Sequence, residues 1–179
     1  MTTTTETKER SVAKKIEVAA NIGILITVVL VAILFVRNYT HQQANTQHVI
    51  ALNTKFALKN VDWQANDKNL VFAVSTTCHY CTESAGFYRK LVEECKQQHV
   101  HTIAVLPQAP AEAQAYLSGE GVAVDEIRQS DLPALEVNGT PTLLLVDHSG
   151  LVKHVWTGKL PETKETEVTS TLGQNVSNL

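Results

Sequence analysis

The chain has 179 residues, three cysteines and a formal net charge of −3. Three cysteines are too few for a disulfide-dense scaffold, and a domain of this length can bury a hydrophobic core of its own. Residues 38–179 carry 10 Lys and Arg residues against 15 Asp and Glu residues, a net charge of −5. The sequence therefore predicts no nucleic-acid partner and no anionic-lipid surface.

The first predicted element is a membrane anchor. Residues 18–36 contain no charged side chain, and about 20 apolar residues span a bilayer. A buried core helix is the alternative, but core helices are rarely apolar all round over this length. A signal peptide has a shorter apolar region of ~7–15 residues and then a cleavage site of small residues. Because no such site follows Val36, we predict an uncleaved transmembrane helix at residues 16–37.

Basic residues are unequally distributed around this apolar run. Four precede it: Lys8, Arg10, Lys14 and Lys15. Only Arg37 follows closely, and the positive-inside rule then places the N-terminus in the cytoplasm. We predict a cytoplasmic tail at residues 1–15, a polar stalk at residues 38–52 and a globular domain at residues 53–179. We therefore expect the stalk and the domain to lie outside the cytoplasm.

Short apolar runs and helical repeats alternate along the globular part. The predicted elements are one or two edge strands at 48–64, a strand at 70–77, a helix at 79–98, a strand at 100–106, a helix at 110–117, a strand at 122–127, a hairpin at 138–156 and a helix at 161–172. Such alternation predicts an α/β fold with a mixed sheet and helices on both faces. The closing hairpin makes the last strand pairing antiparallel.

Cys78-His79-Tyr80-Cys81 lies where the strand at 70–77 meets the helix at 79–98. Two thiols with this spacing can close a small disulfide or bind a metal ion. The N–H groups at a helix start favour a thiolate at the first position, and the second thiol, one turn later, can resolve a mixed disulfide. So short a loop constrains the unfolded chain little. We therefore interpret the pair as redox chemistry and not as a structural disulfide.

An apolar strand, a Cys-x-x-Cys opening a helix and a Thr-Pro before a hairpin resemble the thioredoxin fold. Three further features narrow the resemblance to one group of proteins with this fold. They are the predicted anchor, the insert at residues 110–127 and the run Gly139-Thr140-Pro141-Thr142. The chain is similar to the membrane-anchored, extracytoplasmic thioredoxin-like thiol–disulfide oxidoreductases of bacteria, the TlpA/ResA type. The resemblance covers about residues 56–160. It implies a thioredoxin-like mixed sheet flanked by helices and preceded by one transmembrane helix.

The same resemblance assigns roles to individual residues. Cys78 is the exposed attacking thiol, Cys81 the buried resolving thiol, and Pro141 the cis-proline that faces them. The backbone of Thr140 docks an extended substrate segment, and His79 and Tyr80 border the docking surface. The redox-active disulfide is the only cofactor. The implied activity is reduction of disulfides in envelope proteins, such as the haem-site cysteines of apocytochrome c, with electrons from a membrane donor.

Three positions depart from the family pattern. Thr77 stands where a Trp usually precedes the first cysteine. Phe72 takes the place of a buried acidic or amide residue that serves as proton acceptor near the resolving thiol. The Glu of the first turn after the motif is displaced by one position, to Glu83, which is also a candidate proton relay together with Glu94. Proton transfer and the choice of partner are therefore less well defined by the resemblance than the fold.

Two other functions compete with disulfide exchange. A copper-binding module would hold Cu(I) with the cysteine pair and an approaching His148 or His154, because thiolates are soft ligands. A peroxidase would carry a single reactive cysteine after Pro and Thr, and no proline precedes Cys78 within its strand. A structural zinc site needs four ligands, and the chain has no second cysteine pair. Cys95 lies too far along the helix to reach the pair and is predicted to be a buried hydrophobe.

Overall fold

The computed structural model of the protein describes Leu25, residues 27–31 and residues 50–174. Leu25 and residues 27–31 are helical and exposed. In the part of the chain that the structure describes, no helix has both the length and the apolar composition that a bilayer span requires. The predicted cytoplasmic tail, the rest of the predicted anchor and most of the predicted stalk lie outside the described residues.

Residues 50–174 contain five strands and four α-helices. In chain order these are β1 (Lys68–Ala73), α1 (His79–Glu83), α2 (Ala85–Gln97), β2 (His101–Leu106), α3 (Pro110–Gly119), β3 (Glu126–Gln129), β4 (Thr142–Asp147), β5 (Val152–Thr157) and α4 (Glu162–Leu172). Two 3₁₀-helices lie at Trp63–Ala65 and Pro133–Leu135. The strand order in the sheet is β3-β2-β1-β4-β5.

The sheet is mixed, as predicted. β1 pairs with β2 in parallel and with β4 in antiparallel orientation, and β4 and β5 form the closing hairpin. Residues 70–73 of β1 are at most 1% exposed, because a strand covered on both faces is apolar at every position and not at alternate ones. The thioredoxin-like α/β sheet flanked by helices is confirmed.

The two faces of the sheet have separate cores. Phe72 points to the face covered by the α-helices, where it clusters with Leu91 of α2 and Leu117 of α3. Val71 points to the other face and clusters with Trp63 and Leu135 of the two 3₁₀-helices. Successive side chains of a strand alternate between faces. The core beneath the α-helices therefore positions the helix that carries the cysteines, and the second core packs against the opposite face of the sheet.

Among residues 50–174 the α-helices contribute only to the first core, so the prediction of helices on both faces is wrong for the α-helices. The crossovers from β1 to β2 and from β2 to β3 step in one direction across the sheet, and right-handed crossovers of this kind put their helices on the same face.

The segment before β1 is not a strand, contrary to the prediction for residues 48–64. Between residues 50 and 64 the structure has an isolated bridge from Lys55 to Leu151 and the 3₁₀-helix, whose N-cap Asp62 accepts a hydrogen bond from the N–H of Gln64 at 3.2 Å. Asn53 and Asn60 have φ angles of 62° and 58°, in the left-handed region. These two turns interrupt the extended backbone that a strand requires.

The strand predicted at residues 122–127 begins later, at Glu126. The N–H of Val122 donates to the carbonyl of Leu117 at 2.9 Å, and the Val122 side chain belongs to the core beneath the helices. The carboxylate of Asp125 accepts hydrogen bonds from the N–H and the hydroxyl of Thr102 at 2.8 and 2.6 Å. Residues 122–125 are therefore an irregular segment held to β2 by the Asp125 side chain, and ladder pairing starts after it.

Candidate active site

The two motif cysteines form a disulfide at the start of α1, beyond the carboxyl end of β1. Their Cα atoms are 5.2 Å apart. Cys78 is the N-cap residue of α1 and half-buried, whereas Cys81 is only 1% exposed. The N–H of Cys81 points to the sulfur of Cys78 at 3.2 Å. Such a donor stabilises negative charge on Sγ of Cys78 when the disulfide is reduced.

The helix after the cysteines is divided at Ser84, although the sequence predicts one continuous helix at 79–98. The hydroxyl of Ser84 donates to the carbonyl of Tyr80 at 2.8 Å, and its N–H donates to the same carbonyl at 3.1 Å. A serine hydroxyl that competes for a backbone carbonyl bends a helix. The short α1 therefore ends at Glu83, with the cysteine pair at its start.

The loop before Cys78 is held by the region that opens α3. The side-chain amide of Gln108 donates to the hydroxyl of Ser75 at 2.9 Å and accepts from the N–H of Thr76 at 3.4 Å. The hydroxyl of Thr76 donates to the carboxylate of Glu112 at 2.8 Å. Sequence reasoning missed Gln108 and Glu112. Their position in the sequence could have indicated them. Parallel strands end at the same edge of a sheet, so the residues that follow β2 lie beside those that follow β1.

The surroundings of Cys81 are largely apolar. A narrow cavity of about 10 Å³ beside it is lined by Phe72, Val74 and Tyr88 among others. The rings of Phe72 and Tyr88 meet edge to face with centroids 5.5 Å apart, and burial raises the pKa of Tyr88. Phe72 supplies no group that can accept a proton, so the departure from the family pattern leaves the resolving thiol without a carboxylate from β1.

Pro141 lies at the same edge of the sheet as the cysteine pair. Thr142 pairs with Ala73, the last residue of β1, so the residue before it stands beside the strand end from which the cysteine loop leaves. The Thr140–Pro141 peptide bond is cis. The carbonyl of Pro141, whose side chain is buried, accepts a hydrogen bond from the N–H of Gly158 at 2.7 Å, and Thr140 is half-buried.

Gly158 is expected to tolerate substitution poorly, because its φ of +85° lies in the left-handed region. Gly158→Ala should lower the free energy of unfolding by ~1–2 kcal/mol, the cost of that conformation for an L-residue. No atom lies within 4 Å of an added Cβ, so crowding makes no contribution. Urea unfolding followed by circular dichroism measures the change.

Gly119 provides the matched control for this substitution. It lies in the last turn of α3, its φ is not positive, and an added Cβ also meets no atom within 4 Å. Gly119→Ala should therefore stabilise the protein, by up to ~1 kcal/mol. Equal changes for the two variants would show that the backbone at Gly158 carries no special requirement.

His79 and Tyr80 are the exposed residues of the motif. The side chain of His79 is 79% exposed and Tyr80 is 57% exposed. Nε2 of His79 lies 3.1 Å from one carboxylate oxygen of Glu83, and Nζ of Lys159 lies 2.9 Å from the other. The hydrogen bond from Lys159 lowers the pKa of Glu83, and the charge of His79 lowers it further. Sequence reasoning missed Lys159, which precedes α4 and lies 76 residues from Glu83.

The other candidate relay and the third cysteine lie away from the pair. Glu94 is hydrogen-bonded to Gln98 at the end of α2. Cys95 is a free, fully buried thiol on the same helix, and burial raises its pKa to about 12. The part of α2 from Ala85 to Cys95 alone spans ~15 Å at 1.5 Å per residue, and Cys81 lies on α1 before it. Neither residue can exchange protons or electrons directly with the pair.

The structure does not bring His148 or His154 to the cysteines, as the copper alternative requires. His148 lies in the turn after Asp147, which pairs with Lys68 at the start of β1 and thus at the opposite edge of the sheet. His154 pairs with Leu145 and stacks on Trp156 at 5.3 Å. Among the described residues, no group of three or more His, Cys, Asp or Glu side chains could hold a metal ion.

The arrangement of the pair, the buried Pro141 and the mixed sheet defines the class of protein: the chain is a thioredoxin-like protein–disulfide oxidoreductase. A family model described as Redoxin matches residues 40–172, and the chain belongs to the redoxin family. This confirms the family inferred from the sequence. No curated protein sequence matches the chain.

Several solved structures share the fold. The thioredoxin domain of a thiol–disulfide oxidoreductase from Bacteroides vulgatus is 15% identical, with 69% of this chain and 99% of that chain covered and a TM-score of 0.54. A thiol:disulfide interchange protein from Bacteroides sp. is 13% identical, with 71% and 88% covered and a TM-score of 0.52. A thiol–disulfide isomerase from Corynebacterium glutamicum is 12% identical, with 69% of this chain and 92% of that chain covered and a TM-score of 0.51.

Proposed function

We propose that this oxidoreductase is tethered to the bacterial inner membrane and reduces disulfides in envelope proteins on the extracytoplasmic side. The observation that carries the proposal is the asymmetry of the cysteine pair. Cys78 is half-buried at the N-cap of α1, whereas Cys81 is 1% exposed. A client disulfide can therefore meet Sγ of Cys78, and Cys81 is reached only from within the protein.

The reaction proceeds by two exchanges. The Cys78 thiolate attacks one sulfur of the client disulfide, and the other client sulfur leaves as a thiolate. Cys81 then loses its proton and attacks the Cys78 sulfur of the mixed disulfide, which releases the second client thiolate. The client has gained two electrons and, after protonation, two thiols, and the protein holds the Cys78–Cys81 disulfide. A membrane electron donor returns two electrons to the pair.

Client docking is assigned to Thr140, Pro141, His79 and Tyr80. The two motif side chains are exposed beside Cys78, and the Thr140–Pro141 segment ends at the same edge of the sheet. An extended client segment can add to the backbone there as an extra strand. These features support a docking surface built from the motif and the proline loop.

The compartment is inferred from the uncharged run at residues 18–36 and the basic residues before it. An anchor there, with the positive side in the cytoplasm, places the globular domain in the periplasm. Clients are then envelope proteins with disulfides, such as apocytochrome c with oxidised haem-site cysteines. The redox-active disulfide serves as the only cofactor, and no nucleic acid takes part.

Client trapping tests the proposal. Cys81→Ser, expressed as the full chain in bacterial membranes, should accumulate mixed disulfides between Cys78 and envelope proteins, because the resolving step is removed. The adducts should be visible on non-reducing gels and disappear on reduction. Cys95→Ser is the matched control, since it removes a thiol that is buried and remote from the pair, and it should trap nothing. Adducts only with cytoplasmic proteins, or none at all, would refute the proposal.

A further inference from the structure

A continuous series of polar contacts links Pro141 to the residue after Cys78. The N–H of Gly158 donates to the carbonyl of Pro141 at 2.7 Å. The next residue, Lys159, lies 2.9 Å from the carboxylate of Glu83, which in turn lies 3.1 Å from Nε2 of His79. The docking loop and α1 are thus joined through one ion pair, and that pair ends on the imidazole nearest to Cys78 in sequence.

Reduction changes the charge that these groups face. The disulfide is neutral, whereas the reduced form places a thiolate on Cys78 at the start of α1. The charged groups on the elements around it include His79 and Glu83 on α1, Lys159 after β5, and Glu112 on α3, which is hydrogen-bonded to Thr76 at 2.8 Å. When the imidazole of His79 is protonated, it can pair with the Glu83 carboxylate or with the new thiolate.

We propose that Glu83 and Lys159 are positioning residues that set the redox equilibrium of the cysteine pair through His79. Lys159 neutralises the Glu83 carboxylate, so the imidazole of His79 remains available to the Cys78 thiolate. A stabilised thiolate favours the dithiol form and makes the protein the stronger oxidant. The inference rests on the proposed role of Cys78 as the attacking thiol.

The two residues of this ion pair should have opposite effects. Without Lys159, the unneutralised Glu83 carboxylate holds His79 and repels the thiolate, so the pKa of Cys78 rises and the equilibrium moves toward the disulfide. With Glu83 neutral, His79 and Lys159 both face the thiolate, so the pKa falls and the equilibrium moves toward the dithiol. A purely structural bridge predicts effects of the same sign, because either substitution breaks it.

The experiment compares Lys159→Met, Glu83→Gln and the double variant with the wild type, each as the full chain at low ionic strength. The protein disulfide is equilibrated with two glutathione thiols, which yield the protein dithiol and one glutathione disulfide. The equilibrium constant should fall about two- to fivefold in Lys159→Met and rise by a similar factor in Glu83→Gln, the size expected for one partly exposed charge. The double variant should lie between the two.

Two further measurements make the outcome decisive. The pH profile of Cys78 alkylation in the reduced protein should shift upward for Lys159→Met and downward for Glu83→Gln. Lys96→Met and Glu93→Gln remove an ion pair of similar geometry, 2.7 Å long on the far part of α2, and should change neither quantity. Shifts of equal sign, or none, for the Glu83 and Lys159 variants overturn the inference while the proposed function stands. A wild type without a reversible two-electron step overturns both.

Discussion

Cys78→Ser is expected to lower disulfide-reducing turnover by about 10³-fold or more, because it removes the only sulfur through which electrons can reach a client. Insulin reduction with dithiothreitol as donor provides the assay. The serine hydroxyl is similar in size to the thiol and fits the half-buried N-cap position, where serine is a favoured residue. The loss therefore reflects chemistry and not unfolding.

Cys81→Ser should be equally inactive in turnover, yet different in mechanism. When the reduced variant meets its client with no external thiol present, Cys78 still attacks, so one equivalent of client thiol is released in a burst and the reaction stops at the mixed disulfide. Cys95→Ser should retain wild-type turnover, since that thiol is remote from the pair. A turnover in Cys78→Ser within tenfold of wild type would remove this residue from the reaction.

Phe72→Ala is expected to cost ~3–5 kcal/mol of unfolding free energy, the range for deleting a buried phenyl ring. Phe72 is 1% exposed, lies on the central strand and packs edge to face on Tyr88. The cavity left by the ring would merge with the narrow space already present beside Cys81. Urea unfolding followed by circular dichroism reports the loss as a lower transition midpoint.

Phe87→Ala is the control for this substitution. Phe87 has the same side chain and packs against the same core, but it is half-buried on α2. Its removal takes less apolar surface out of the core, so it should cost no more than about half as much. Equal losses for the two variants would mean that the core around Phe72 closes over the missing ring.

The sequence predicted the elements whose signal is local. β1 is recognisable because a central strand buried on both faces is apolar at every position, and β4 and β5 because a polar turn at Asp147–Gly150 separates two apolar runs. The prediction of strands in the segment before β1 was wrong for a different reason. Its apolar residues alternate like those of a strand, but left-handed turns at Asn53 and Asn60 depend on tertiary packing that no local pattern records.

The residues of the candidate site also fall into two groups, those that the sequence indicates and those that it does not. Cys78, Cys81 and Pro141 were found because their spacing and order are visible in one dimension. Gln108, Glu112 and Lys159 were missed because each reaches the site from another part of the chain, over 32 or more residues of sequence. Their polar side chains resemble those of any solvated surface until the sheet brings the ends of β1, β2 and β5 together.

The burial of Cys95 matters for a protein whose other two cysteines cycle between a dithiol and a disulfide. Burial raises the pKa of this thiol to about 12, so it is protonated at neutral pH and is a poor nucleophile. An odd sulfur beside a reactive pair is ordinarily a liability, since it can scramble with its neighbours or cross-link two chains. Here the fold buries the third thiol and keeps it from reacting. The protein can therefore cycle between its dithiol and disulfide forms without Cys95 forming a wrong disulfide within the same chain.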